Sequence, residues 1–130
     1  MAVGSSAANL ANKWLDMLGA AAFTAPAGTY VKLHTADPGS AGATAASTVV
    51  TRPAVTWAAA SGGSKASNNT PSWTSWAGTN GEVVTHISVW DAATAGNFLF
   101  SAALSASKTI NTGDTLNLTS LSYALSPIAA

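Results

Sequence analysis

The side chains best able to do chemistry in this chain are two histidines and five acids. His34 and His86 each sit in an alternating run, with Asp37 and Asp91 a few residues downstream. If the two runs were neighbouring strands, the imidazoles could meet and hold a metal with either aspartate. Metal sites usually need three or four convergent ligands, and this chain has few to offer. The simpler reading is that each imidazole bonds a backbone group or a nearby turn. Asp16, Asp37, Glu82, Asp91 and Asp114 are scattered, so a carboxylate pair for acid–base work could form only through tertiary contact. There is no cysteine, which excludes thiolate chemistry and disulfides. The serines include no Gly-x-Ser-x-Gly elbow, and neither Gly-x-Gly-x-x-Gly nor a P-loop occurs. The residues point to no enzymatic activity, no cofactor and no metal.

The five tryptophans are the other notable resource. Exposed rings on a β-scaffold can stack on sugars; buried rings make core, and rings at a contact anchor a partner. Trp57, Trp73, Trp76 and Trp90 fall in or beside strand-like runs. Trp73 and Trp76 are three apart, so a regular strand cannot turn both to one face. One of them faces away from the core, or the strand bulges. Trp73 and Trp76 are therefore interface candidates.

The elements that must position these residues are short. Ser5 or Ser6 can cap a helix running to about Leu18, with Gly19 as its stop. Leu10, Trp14, Met17, Leu18 and Ala21 form one apolar stripe, with Asn9, Asn12, Lys13 and Asp16 off it. The stripe lies on the protein's own sheet or docks on a neighbouring subunit, which adds Leu10, Trp14, Met17 and Leu18 to the interface candidates. Beyond a Pro/Gly-bearing connector, the chain reads as strands near 30–35, 48–51, 54–59, 64–68, 72–76, 83–90, 97–104, 108–111 and 115–125, the last broken near Ser120. Asp37-Pro38-Gly39, Gly62-Gly63, Thr79-Asn80-Gly81 and Asn111–Asp114 mark turns. Along Val83–Trp90, Val83, Thr85, Ile87 and Val89 alternate with Val84, His86, Ser88 and Trp90. Both sets carry apolar residues, as in a central strand covered on two sides. The expectation is a mainly β chain: an antiparallel β-sandwich or jelly-roll-like domain with one N-terminal amphipathic helix. It is one domain, 1–130, with an arm and helix at 1–22 and a sandwich at 29–126.

Only 8% of residues are charged and the net charge is zero. Five Lys/Arg cannot make a basic footprint, so nucleic acid is not an expected partner. No apolar run approaches the ~20 residues of a membrane span. A brief imitation of a secretory signal around Lys13–Ala27 fails, because Asp16 interrupts its apolar part. Zero net charge favours association, which suits a subunit held in an assembly. Its contacts would be apolar, with Met1–Gly4, the helix stripe and Ser126–Ala130 as further contact segments.

Three stretches carry a resemblance. They are Leu33-His34-Thr35-Ala36-Asp37-Pro38-Gly39; Arg52–Trp57 running into Ala-Ala-Ala-Ser-Gly-Gly; and Thr85–Asp91 followed by Gly96–Phe100 and Ala102–Leu104. In order and spacing the chain resembles a family of small tailed-phage virion proteins, variously tail-fibre-like, minor tail or head-decoration proteins. The resemblance implies a non-enzymatic structural protein of the virion, assembled in the host bacterial cytoplasm. The small size favours a capsid decoration (cement) protein, a homo-oligomer such as a trimer seated on the major capsid protein. The alternative is a minor tail or tail-fibre-associated protein bound to tail proteins, with a receptor- or glycan-binding role.

Overall fold

The computed structural model describes residues 3–129. Met1, Ala2 and Ala130, parts of the two proposed terminal contact segments, lie outside the described residues. The fold is mainly antiparallel β with one short N-terminal helix.

The helix begins where the sequence places it. Ser6 is the cap, its side chain accepting a bond from the Asn9 N–H at 3.2 Å. The helix is irregular, a π turn (Ala7–Ala11), an α turn (Asn12–Asp16) and a 3-10 turn (Met17–Gly19) in succession. It ends one residue past the expected stop, because Ala20 rather than Gly19 takes the left-handed conformation (φ 63).

The strands are β1 (Thr29–His34), β2 (Ala54–Val55), β3 (Ser64–Ala66), β4 (Ser72–Trp73), β5 (Glu82–Trp90), β6 (Phe98–Ile110), β7 (Leu116–Asn117) and β8 (Ser122–Ala124). The main sheet has the order β2-β1-β5-β6, and two short ladders, β3-β8 and β4-β7, lie apart from it. The core joins Val31, Leu33, Ile87, Val89 and Phe100 of the main sheet to Trp73 and Leu121 of the ladder region and to Leu10 of the helix. β5 is central, with β1 and β6 on either side.

Several expected elements change, each for a local reason. No strand forms at 48–51, because the Thr48 N–H donates to the Glu82 carboxylate (2.9 Å) instead of to a neighbouring backbone. The runs 97–104 and 108–111 fuse into β6. The register shift between Val84 and His86 takes up the mismatch. That shift also resets the faces of β5. Val84, Ile87 and Val89 share the core, while Val83 is 43% exposed, against the simple alternation expected. β4 stops at Trp73, and Ser75 adopts φ 50.

The outer face of the sheet is covered by the loop after β1. Thr35 N–H donates to the Ala45 carbonyl (2.9 Å) and Ser47 N–H to that of Leu33 (3.0 Å). Pro38, within this loop, is fully buried. Gly42 needs its glycine: φ is +67, and a Cβ there would collide with the Phe98 ring.

Candidate functional site

The two histidines do meet across adjacent strands: His34 of β1 is the register partner of His86 of β5. His34 and Ser88 are both fully buried. The Thr44 carbonyl can only accept, so His34 Nδ1–H donates to it (2.8 Å). Trp90 Nε1–H donates to Ser88 Oγ (2.8 Å), and the Ser88 hydroxyl donates to His34 Nε2 (2.7 Å). Burial holds His34 below its ordinary value; the Thr44 bond opposes this, and the neighbouring charges of Lys32, His86 and Arg52 reinforce it. The imidazole is therefore neutral and locks the 35–47 loop onto the sheet. A serine and a histidine at bonding distance resemble a nucleophile and its base, but both are sealed from any substrate.

The aspartates do not join them. Asp37 accepts from the Gly39 N–H (2.8 Å), the turn role its sequence suggests. Asp91 accepts from the Asn97 N–H (2.6 Å) and Asn97 Nδ2 (2.8 Å). Partial burial raises the Asp91 pKa, but these donors outweigh it and hold the carboxyl below its ordinary value. Among the described residues no three His, Cys, Asp or Glu side chains group as metal ligands. Sequence reasoning missed the role of Glu82. It is 9% exposed and accepts from Ser47 Oγ (2.9 Å), Thr48 N–H (2.9 Å) and Thr48 Oγ (3.0 Å). Thr48 Oγ in turn accepts from the Thr79 N–H (2.9 Å). The cluster pins two loops to the start of β5.

The surface feature best suited to a partner is an apolar groove of about 360 Å³ between the helix, β6 and β8. Its lining includes Leu10, Trp14, Phe23, Trp57, Phe100, Tyr123 and Leu125, with Lys65 at its wall. The rings are mutually braced. Trp14 meets Tyr123 edge-on at 5.5 Å, and Phe100 meets Tyr123 at 4.7 Å. The polar atoms are satisfied: Trp57 Nε1–H donates to Thr29 Oγ (2.8 Å), and the Tyr123 hydroxyl bonds that of Ser5. Such a surface offers burial and ring contacts, not charge.

The interface candidates separate into three groups. Leu10 is 7% exposed and Trp14 packs against the core, so both belong to the protein's own groove. Met17 (47%) and Leu18 (89%) lie in the open, with Leu15 (63%) beside them. Trp73 (4%) and Trp76 (2%) are both buried, and neither offers an exposed ring. The left-handed Ser75 turns the chain between them, so the outward ring expected of a regular strand does not occur. Their indole N–H groups donate to the Thr51 carbonyl (2.9 Å) and the Thr79 carbonyl (3.2 Å). Trp90 is capped by the Arg52 guanidinium, 4.2 Å from its ring centroid. Trp14 was the only groove aromatic marked for contact in the sequence. Tyr123 sits in the one-sided alternation of Leu121, Tyr123 and Leu125, which marks a strand face but not a groove, and nothing in the sequence set Phe23 or Phe100 apart for contact.

No curated protein matches the chain at a significant level. Residues 5–126, a span holding the helix, all eight strands and the groove, match the family model described as podophage GP4 fiber I protein gp80. The chain belongs to that family, and so to the phage structural proteins.

Proposed function

We propose that the protein is a non-enzymatic structural subunit carried with the tail fibres of a podophage virion. The observation that carries this reading is the fiber-family match over residues 5–126. It favours the tail-fibre-associated alternative over the capsid decoration expected from size alone. The trimer belongs to the capsid-decoration reading, seated on the major capsid protein, and loses its motive with that reading. Self-association and contact with tail proteins stay in the proposal, through the apolar groove and the exposed Leu15, Met17 and Leu18. The burial of Trp73 and Trp76 weighs against a sugar-binding platform built on those rings. The test is immunogold electron microscopy of purified particles with an epitope-tagged chain. Label on the fibres or tail is expected. Label over the head, or particles without the chain, would overturn the reading.

A further inference from the structure

Residues 3–19 form an arm laid onto the rest of the protein. Gly4–Ser6 runs beside β6 as an added strand. Ser6 N–H donates to the Leu99 carbonyl (2.6 Å) and Ser101 N–H to the Gly4 carbonyl (2.9 Å). Asn9 Nδ2 donates to the Phe98 carbonyl (2.9 Å). Leu10 and Trp14 then form one wall of the apolar groove. Between this arm and β1, residues 20–28 form neither helix nor strand and are exposed over most of their length. The segment is mostly alanine, with Pro26 and Gly28. Extended, it reaches about 30 Å, close to the diameter expected of a chain of this size.

We propose that the arm exchanges between copies, the β6 edge of one chain receiving residues 3–19 of a second, whose Leu10 and Trp14 then complete the groove wall. The occupant is defined by the structure itself, because the arm already fits this site in its own chain. Exchange preserves every contact between arm and body, so the two states differ only in the tether. A short flexible tether supplies an effective concentration on the order of millimolar. Dilute chains therefore keep their own arms. Copies held side by side reach the same local concentration and can trade them, which links neighbours without any new surface. This stands on the arm, hinge and groove, whether or not the chain is carried on a fibre.

The full-length chain tests it. Ser5 and Phe100 are bridge partners in the added strand pair, and the backbone bonds run from their neighbours, so they form the closer kind of antiparallel pair, within disulfide reach. The chain has no cysteine of its own, so Ser5→Cys with Phe100→Cys traps the arm, once circular dichroism shows that the variant folds. The double variant is refolded at about 10 micromolar and at about 1 millimolar, oxidised, and run on a denaturing gel without reductant. Interchain dimer should rise at least tenfold between the two, with covalent monomer dominant in the dilute sample. Unmodified chain refolded at the higher concentration should show the same dimer by light scattering. If the unmodified chain stays monomeric there, arm exchange is overturned. It is equally overturned if dimers form while every disulfide is intrachain, since another face then joins the copies.

Discussion

Lowering the pH from about 7.5 to about 5 should destabilise the fold through His34. The hydrogen-bond chain fixes the direction. Thr44 can only accept, and the Ser88 hydroxyl already points at Nε2 while accepting from Trp90. Protonated His34 would present a second N–H to Ser88, leaving the serine's own proton without an acceptor in a fully buried site. A buried unsatisfied donor costs roughly 1–3 kcal/mol, and desolvation of the imidazolium adds to it. The folded pKa therefore lies below the ordinary 6.5, and the unfolded chain binds the proton first. Stability is complete above pH 6.5. It falls as pH drops below that value, by up to about 1.4 kcal/mol per unit, until the folded site protonates. Asp91, also depressed, loses its contribution only at more acid pH, as pH falls from the ordinary carboxylate value of 3.8 through its lower folded one. Urea unfolding at half-unit pH steps measures the slope, and His34→Gln should flatten it. A flat profile between pH 6.5 and 5 in the native protein, or an unchanged slope in His34→Gln, would refute the reasoning.

Leu10→Ala should cost about 2–4 kcal/mol in urea unfolding, because the side chain is 7% exposed and joins the core. Glu82→Ala should cost roughly 3 kcal/mol and raise amide exchange at Thr48 and Thr79, since three donors lose a charged acceptor; unchanged exchange would remove the clamp. Leu18→Ser, 89% exposed, should alter stability by less than ~0.5 kcal/mol but weaken retention on purified virions if the exposed helix end is a contact. Retention should also survive sodium chloride washes that dissociate ion-paired subunits, because five Lys/Arg and five Asp/Glu leave little charge to screen. Release at moderate salt with the fold intact would show that a charge cluster holds the contact.

What could be read from the sequence follows the range of the interactions. β1 and β5 are long enough for two-residue alternation to show, and they form as expected apart from the phase of Val83 and Val84. The Ser6 cap bonds a residue three positions away, and it too was legible. β2, β4 and β7 are two residues each; the expected runs 54–59, 72–76 and 115–125 contain them but overstate their length, since two residues carry no period that fixes an end. The Val49-Val50 run resembles a strand in composition, yet Thr48 bonds a carboxylate 34 positions away. The inward turn of Trp76 depends on the backbone of Ser75, a position where no glycine announces a positive φ. The groove draws on positions from Leu10 to Leu125, so its continuity exists only once β6 and β8 are in place.

The internal polar groups and the external apolar ones have complementary roles here. Among the described residues no buried side-chain nitrogen or oxygen lacks a partner, and His34–Ser88–Trp90 and Glu82–Ser47–Thr48 are the two clusters that hold loops against the sheet. This polar seam rests on one carboxylate, Glu82, and otherwise on neutral groups, and satisfied internally it specifies a unique arrangement. The surface proposed for contact consists of groups that salt does not affect: the groove rings and the exposed leucines of the helix end. On the proposed tail-fibre reading, in media whose ionic strength the phage does not control, that division is physically sound. Loops are locked by short internal bonds, and a contact made through the exposed apolar groups would rest on burial, whose strength falls when water itself is changed by denaturant or cold.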